Sequence, residues 1–250
     1  MSYQKRRQKI LALLDEVEEA DIAFLREKLS VSEITIRRDL KLMAQDGLLY
    51  RTHGGATMTD PLLSVKSFKG KSATNVAAKD AICRRAAEEI VDGDIIFMDC
   101  GSSVFRLCQF IKQKKIKVIT NSLPVVTELH GTQVAINLIG GEVDTDRQAI
   151  HGIIAQEHIK RYRATKAFLG VDGVSVNGLF AQSEKEAANT LAMMSQSKRN
   201  YMLCDETKIG KETYLKFAGL ESINVIITNA DDEKLKEFSK SGVELIKVKS

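Results

Sequence analysis

Six short apolar runs, separated by stretches with helical periodicity, dominate residues 95–228. The runs occupy 95–99, 117–120, 134–139, 166–171, 200–204 and 224–228. Helical patterns lie between or after them, at 103–112, 122–130, 148–161, 183–195 and 231–240. Buried strands that alternate with helices are typical of a largely parallel sheet covered on both faces. The sequence therefore predicts a mostly parallel α/β domain over residues 76–250, beginning with a helix at 76–91.

Small polar residues and glycines follow most of these strands. In open α/β sheets, ligands bind beyond the carboxyl ends of the strands. Gly101 lets the backbone approach a ligand closely, and the Ser102 and Ser103 hydroxyls at a helix start suit an anion. We therefore expect a small anionic ligand, and Lys208 is a cation able to pair with a phosphate. The candidate residues at these strand ends are Asp99, Gly101, Ser102, Ser103, Asn121, Ser122, Gly140, Gly141, Asp172 and Lys208.

The segment at residues 31–47, VSEITIRRDLKLMAQDG, predicts a helix with two different faces. With a period of 3.6 residues, Ile36, Leu40 and Met43 lie on one side and face a small core. The opposite side carries Ile34 and three cations, Arg37, Arg38 and Lys41. Ser32 stands where an N-cap belongs. A short capped helix with a cationic outer ridge is suited to the major groove of DNA, although an isolated ridge of this kind can also be an ordinary solvated face.

The surrounding sequence favours the DNA-binding interpretation. Residues 5–14 and 21–29 each predict a short amphipathic helix, and a brief turn separates the second from the helix at 31–47, as in a helix-turn-helix. Residues 48–57, LLYRTHGGAT, then predict a two-stranded wing. The residues expected to contact DNA are Ser32, Thr35, Arg37 and Arg38 at base edges or phosphates, and Lys41, Arg51 and His53 at the backbone.

The location of the Lys and Arg residues supports DNA binding, whereas the net charge contributes little to the argument. The chain of 250 residues has a formal net charge of +4, and residues 1–57 contain ten Lys and Arg against nine Asp and Glu. The cations are segregated into residues 5–7, the helix ridge and Arg51. Residues 58–75 show no sustained periodicity and contain a proline, so we place a linker there, between a domain at 1–57 and one at 76–250.

The four cysteines are scattered, without a CxxC pair and without a histidine at ligand spacing. We expect reduced thiols, no disulfide framework and no metal site. The chain has no apolar run near the ~20 residues that a membrane span needs and no signal-peptide pattern. We therefore expect a cytoplasmic protein without a membrane partner.

At the level of motifs, VSEITIRRDL followed by GLLYRTHGGA resembles the DNA-binding domain of DeoR-type bacterial transcription regulators. DCGSS, VITNSLP and CDETKIG resemble loops of the same family, and Lys79 and Glu186 fall on family positions. The resemblance implies that residues 76–250 are an effector-binding and oligomerisation domain for a phosphorylated sugar, similar in fold to ribose-5-phosphate isomerase and CoA transferases. It departs at Thr190 and Leu191, where the family usually has a basic residue.

These expectations combine into a winged helix-turn-helix transcription regulator, a repressor of a carbohydrate-utilisation operon that a phosphorylated sugar controls. We expect no enzymatic activity and no cofactor beyond this effector. A single helix-turn-helix contacts few base pairs, so we expect a homo-oligomer, a dimer or tetramer, on a double-stranded operator. Two alternatives stay open. One is a sugar-phosphate isomerase or transferase, for which Glu186 is the candidate base. The other is a DNA-binding protein whose second domain serves oligomerisation alone.

Overall fold

The computed structural model describes residues 3–17, 19–46, 48–52, 54–57, 68–72 and 74–249. The chain forms two compact units, Met1–Val65 and Lys66–Ser250. His53, predicted to contact DNA, lies outside the described residues, as does most of the predicted linker at 58–75.

The first unit is a three-helix domain with a small antiparallel sheet. Its elements are α1 (Tyr3–Val17), β1 (Glu19–Asp21), α2 (Ile22–Leu29), α3 (Glu33–Gln45), β2 (Tyr50–Arg51) and β3 (Gly55–Thr57), with strand order β1-β3-β2. Ile36, Leu40 and Met43 of α3 are fully buried. The predicted winged helix-turn-helix is therefore confirmed, and the wing gains a third strand because β1 pairs with β3.

Two side-chain caps set the boundaries of the helices in this unit. The Asp21 carboxylate accepts a hydrogen bond from the Phe24 amide at 2.7 Å at the start of α2. The Ser32 hydroxyl accepts from the Thr35 amide at 3.3 Å at the start of α3, as predicted. Between them Ser30 adopts a left-handed conformation with φ 52°, which reverses the chain. Each cap satisfies an amide that the helix itself leaves unpaired.

The second unit is built on a seven-stranded parallel sheet with the order β15-β14-β12-β9-β4-β5-β6. Its strands are β4 (Ile95–Met98), β5 (Lys117–Thr120), β6 (Ala135–Leu138), β9 (Ala164–Leu169), β12 (Ser197–Leu203), β14 (Val225–Thr228) and β15 (Glu244–Lys247). The predicted parallel α/β fold is confirmed. All six predicted strands are present, and β15 is an additional strand at one edge.

Helices and two smaller sheets complete this unit. The helices are α4 (Phe68–Ser72), α5 (Val76–Glu88), α6 (Ser102–Phe105), α7 (Cys108–Ile111), α8 (Leu123–Leu129), α9 (Ile153–Ile159), α10 (Glu184–Ser195) and α11 (Asp232–Leu235). The smaller sheets pair β7 (Glu142–Asp144) with β8 (Ala149–His151), and β10 (Gly173–Ser175) with β11 (Gly178–Ala181) and β13 (Leu215–Ala218).

Side chains that alternate along the strands build two separate cores. Phe97, Ile119 and Leu169 pack on one face of the sheet. On the other face lie their neighbours along the strands, among them Ile96, Met98, Val118 and Phe168. Alternation with a period of two places consecutive residues on opposite faces, and both faces are covered. The loops that follow the strands therefore emerge at one edge of a rigid sheet.

Four predicted segments differ from the structure. The predicted helix at 231–240 is α-helical only in α11 and continues as a 3-10 helix at Lys236–Lys240. The predicted helix at 103–112 is divided into α6 and α7. The predicted helix at 148–161 begins as β8, because Ala149–His151 pairs with Glu142–Asp144, and α9 starts only after Gly152, which has φ 91°. The predicted linker contains α4, which is held because the buried Phe68 ring packs against Phe105 at 5.3 Å.

No helix within the described ranges has the length and apolar character needed to cross a bilayer.

Candidate functional site

A cleft opens where β12, β9 and β4, three neighbours in the sheet, reach their carboxyl ends. The loop after β4 contributes Asp99–Ser103, the loop after β9 contributes Gly170–Asp172, and Lys208 follows β12. Seven of the predicted ligand residues line this cleft, namely Asp99, Gly101, Ser102, Ser103, Asp172, Glu186 and Lys208. The three loops lie close together because the parallel strands β12, β9 and β4 are adjacent in the sheet and end side by side.

Asp99 joins two of these loops. Its Oδ1 accepts from the Gly101 amide at 2.8 Å and its Oδ2 accepts from the Gly170 amide at 2.7 Å. Burial raises the pKa of Asp99 to about 6, although both amides and Lys208 oppose the shift. A Cβ on Gly101 would lie 2.9 Å from Asp99 Oδ1 and 3.2 Å from Gly170 Cα, so this close approach requires glycine. Asp99 therefore positions the loops, since both of its oxygens are already engaged.

Two lysines, Lys79 and Lys208, lie on the side of the cleft that holds Ser102 and Ser103. Lys79 is buried, and its Nζ donates to the Lys71 carbonyl at 2.5 Å and to Ser102 Oγ at 3.3 Å. Burial lowers the pKa of Lys79 to about 8, and repulsion from Lys208 adds to the effect. Ser103 Oγ is buried and has no hydrogen-bond partner among the described residues. Two lysines beside two hydroxyls form a pocket with the chemistry of an anion site.

Two ion pairs also belong to the lining of the cleft. Arg147 binds Glu186 through two contacts, Nε to Oε1 at 2.8 Å and Nη2 to Oε2 at 3.2 Å. Burial raises the pKa of Glu186, although the Arg147 charge opposes the shift. Lys71 Nζ donates to Asp172 Oδ1 at 2.8 Å, and Asp172 Oδ2 accepts from the Gln182 amide at 3.1 Å. Burial alone would raise the pKa of Asp172. The Lys71 charge and these hydrogen bonds lower it by more, so the net pKa of Asp172 lies below its usual value.

Four predicted ligand residues lie outside the lining of the cleft. Asn121 donates through Nδ2 to the Ile150 carbonyl at 3.0 Å, and Ser122 caps α8 by accepting from the Val125 amide. The Gly140 amide donates to His158 Nδ1 at 3.0 Å. Gly141 has φ 148°, and a Cβ there would lie 2.6 Å from the His151 carbonyl. These residues hold the ends of β5 and β6, which lie beyond β4 in the sheet and so do not reach the cleft.

Several lining residues were absent from the sequence prediction. Phe68 and Lys71 belong to α4, inside the segment predicted as a linker, and Arg147 lies in the turn between β7 and β8. Cys100 and Thr190 also line the cleft. No spacing pattern connects these positions to the strand-end loops. The one available signal was the run of Lys, Ser and Phe at 66–72, which is too short to indicate a buried helix.

The outer face of α3 presents the predicted DNA contacts. Arg38 and Lys41 are exposed, and Ile34 is 79% exposed beside them. Arg37 is exposed as well, and its Nε donates to Glu33 Oε1 at 2.8 Å. Thr35 Oγ1 lies 2.8 Å from Ser32 Oγ, so both hydroxyls belong to the helix cap. In the wing, Arg51 is exposed and opposite Ala56.

One cation of the basic segment at residues 5–7 has a structural contact instead. Arg6 binds Asp39 through two contacts, Nε to Oδ2 at 2.5 Å and Nη2 to Oδ1 at 3.0 Å. Asp39 is 2% exposed and lies on the inner face of α3. The pair therefore joins α1 to α3 and leaves the outer ridge of α3 to the other cations.

Comparison with known families matches both units. Residues 6–61 match the model of the DeoR-like helix-turn-helix domain, and residues 74–230 match the DeoR C terminal sensor domain. The second match alone covers more than half of the chain. Both family models agree with the two units of the structure.

Curated relatives match over nearly the whole chain. The HTH-type transcriptional regulator GlpR of Haloferax volcanii is 28% identical over 97% of this chain and 96% of its own. The lactose phosphotransferase system repressor of Streptococcus mutans is 32% identical over 96% of this chain and 98% of its own. A Bacillus subtilis protein named uncharacterized HTH-type transcriptional regulator FruR is 31% identical over 88% of this chain and 90% of its own.

Solved structures with lower similarity include two of other classes. Ribose 5 phosphate isomerase A from Neisseria gonorrhoeae has a TM-score of 0.39 at 14% identity, covering 52% of each chain. The translation initiation factor eIF-2B of Pyrococcus horikoshii has a TM-score of 0.44 at 15% identity, covering 90% of this chain and 86% of that one.

Proposed function

The chain belongs to the DeoR family of helix-turn-helix regulators, and from this membership we propose that it represses genes of carbohydrate metabolism under the control of a phosphorylated sugar. The observation that carries the effector half is the cleft lined by Ser102, Ser103 and Lys208, with the buried Lys79 Nζ donating to Ser102 Oγ at 3.3 Å. The names of relatives support the carbohydrate assignment, since one is a lactose phosphotransferase system repressor.

DNA binding is assigned to the outer face of α3 and to the wing. Arg38 and Lys41 carry exposed charge on one ridge, which suits phosphates and base edges in the major groove. Ser32 and Thr35 stand at the start of α3, where a recognition helix meets base edges. Arg37 leaves its ion pair with Glu33 and binds a DNA phosphate instead. Arg51 contacts the DNA backbone from the wing. His53 stays among the proposed contacts on its sequence position.

Within the cleft, we assign the phosphate to Ser102, Ser103, Lys79 and Lys208. Ser103 Oγ supplies a buried hydroxyl without a partner among the described residues, and a phosphate oxygen would satisfy it. The sugar hydroxyls then face Glu186 and Asp172, whose ion pairs with Arg147 and Lys71 hold both carboxylates in place. Ordered carboxylates and cations of this kind bind polyols by hydrogen bonds to both donors and acceptors.

The same ion pairs argue against an isomerase. A general base needs a carboxylate that is free to take a proton from the substrate. Glu186 is engaged by Arg147 through both oxygens, and Asp172 is engaged by Lys71 and the Gln182 amide. The two relatives named above with the longest coverage are regulators by name. A binding role for these carboxylates therefore fits better than catalysis.

Control of DNA binding follows from thermodynamic linkage. A sugar phosphate that binds one arrangement of the sensor units more tightly shifts the population toward that arrangement and changes the fit to the operator. Coupling of ~1–3 kcal/mol changes operator affinity about 5- to 150-fold. We assign the oligomer contacts to the second unit, because a dimer or tetramer is needed to place two recognition helices on one operator.

Thermal unfolding with a panel of sugar phosphates and their free sugars tests this proposal. A ligand at ~100 times its Kd stabilises the native state by ~2.7 kcal/mol. A rise in Tm with one phosphate and none with its free sugar would support the anion site. Arg38→Ala serves as the matched control, since it lies in the other unit and should leave the shift unchanged. No shift across the panel would favour a second domain that serves oligomerisation alone.

A further inference from the structure

Four large apolar side chains are exposed on the layer of helices and hairpin that covers one face of the central sheet. Ile153 and Ile154 of α9 are 75% and 66% exposed, and Val143 of β7 and Leu191 of α10 are exposed as well. Single exposed apolar residues are ordinary on a protein surface, whereas a group of them marks an interaction site. We refer to these four side chains as the α9 patch.

Contacts among β7, α9 and α10 make the α9 patch part of one continuous surface. Lys185 of α10 binds Glu142 of β7, with Nζ 3.1 Å from Oε1. Glu142 also lies against the start of α9, because a Cβ on Gly152 would be 3.6 Å from its Oε2. The helices α9 and α10 pack against each other and bury their inner residues in the same core. Their outer residues therefore share one side of the unit.

The two edges of the seven-stranded sheet differ in charge. At the β15 edge, Glu244 and Lys247 are both held in exposed ion pairs. At the other edge, β6 contains no charged residue and pairs only with β5 among the described strands. The α9 patch adjoins this second edge, since the Gly140 amide after β6 donates to His158 Nδ1 of α9 at 3.0 Å. Charges on an edge strand discourage association with another chain, so the β6 side is the one open to it.

We propose that the α9 patch is the surface through which two copies of this chain associate about a two-fold axis. The inference rests on the proposed function, which requires at least two recognition helices on one operator. A two-fold interface is isologous, so one self-complementary patch is enough to close a dimer. The four side chains expose roughly 400 Å², the size of patch that marks an interaction site. A stable interface buries about 800 Å² per partner, so the patch forms its apolar core and the polar residues around it form the rim.

The charges around the α9 patch favour a second copy over other partners. Glu142 and Glu157 are exposed acids, and Lys185 and Lys160 are exposed bases in or next to the same elements. Both signs are present, so an acid of one copy can face a base of the other. Nucleic acid or an anionic membrane surface would require an excess of cations. A surface with this mixture of charges is therefore suited to a copy of itself.

Sedimentation velocity of the full-length chain over a range of concentrations tests the proposal without effector or DNA. Ile153→Glu and Ile154→Glu should each raise the dissociation constant of the dimer ~100-fold or more, because a two-fold interface loses each isoleucine twice. Glutamate in the first turn of a helix is favourable, so these changes should leave α9 intact. Val91→Glu, at an exposed valine after α5, is the matched control and should leave the constant unchanged.

Three outcomes would overturn the proposal, and they differ in what they leave standing. Circular dichroism establishes that each variant is folded, and Ile154→Ser replaces a glutamate variant that is not. A wild-type dimer that the folded variants leave unchanged removes the α9 patch from the interface but keeps the proposed oligomeric regulator. A wild type that stays monomeric with and without DNA selected for binding also removes the oligomer from the proposed function. Equal weakening by Val91→Glu would mean that added negative charge anywhere on the surface disrupts the dimer.

Discussion

The outer face of α3 and the cleft of the sensor unit are both rich in cations, but they hold them differently. On α3, Arg38 and Lys41 are exposed and come from a single turn of helix. In the cleft, Lys71 is ion-paired and meets Lys208 because separate elements converge. Lys79, which is 2% exposed, lies behind them with its Nζ 3.3 Å from Ser102 Oγ. Exposed cations suit a long polyanion that slides along a surface, whereas enclosed cations select a small anion of defined shape.

This difference also decides what the sequence can predict. The ridge of α3 is local, so helical periodicity places Ile36 and Leu40 inside and Arg38 outside, and the structure has them there. The Ser32 cap is local as well. The parallel sheet follows from alternation of apolar runs with helices, and its six predicted strands are present.

The residue pattern predicted residues of the cleft only where they follow a strand of the central sheet, and Glu186 in α10 was indicated by the family resemblance alone. Asp99 to Ser103 and Lys208 obey that rule, but Arg147 and Lys71 reach the cleft through a hairpin turn and a short helix. Asn121 and Gly140 also follow strands of the central sheet, but they do not line the cleft, because β5 and β6 lie beyond β4 in the strand order. Strand order is a long-range property, and no local pattern encodes it.

The largest effect is expected from Lys208→Ala in the cleft. Without the Lys208 charge beside the phosphate, the binding free energy of the sugar phosphate should weaken by ~1.5–3 kcal/mol, the range for hydrogen bonds to charged groups. Isothermal titration with the active sugar phosphate measures the change, and Lys211→Ala, an exposed neighbour outside the cleft, is the control. Equal loss in both variants would mean that the cleft attracts anions only through general charge, as an exposed ridge does.

A somewhat smaller effect is expected on the exposed ridge. Arg38→Ala should weaken binding to an operator selected from random DNA by ~1–3 kcal/mol, while leaving sugar-phosphate binding unchanged. Lys28→Ala, an exposed cation of α2 whose Nζ lies 5.7 Å from the Phe24 ring, is the control. Gel shifts at several salt concentrations measure both. Unchanged operator affinity in Arg38→Ala would remove α3 from the interface.

The smallest effect is a change in sugar-phosphate affinity with pH, which we expect from the buried Lys79 and not from the exposed cations of α3. The pKa of Lys79 is lowered to about 8 by burial and by repulsion from Lys208, so Lys79 loses its proton near that pH. A sugar phosphate is already a dianion above pH 7. Its affinity should therefore fall about 3- to 10-fold from pH 7 to pH 9, within the limit of tenfold per pH unit for one proton.

Lys79→Arg is the sharpest test of that assignment, since arginine stays charged over the whole range. In this variant the decline with pH should disappear, whatever the affinity at pH 7. Stability without ligand should show the opposite trend in the wild type. Because the native pKa of Lys79 lies below its ordinary value of 10.5, the unfolded chain binds the proton more tightly and the native state gains stability as pH rises from about 8 to 10.5. A decline in affinity that survives in Lys79→Arg would assign the titration to another group and leave Lys79 as a structural contact of Ser102.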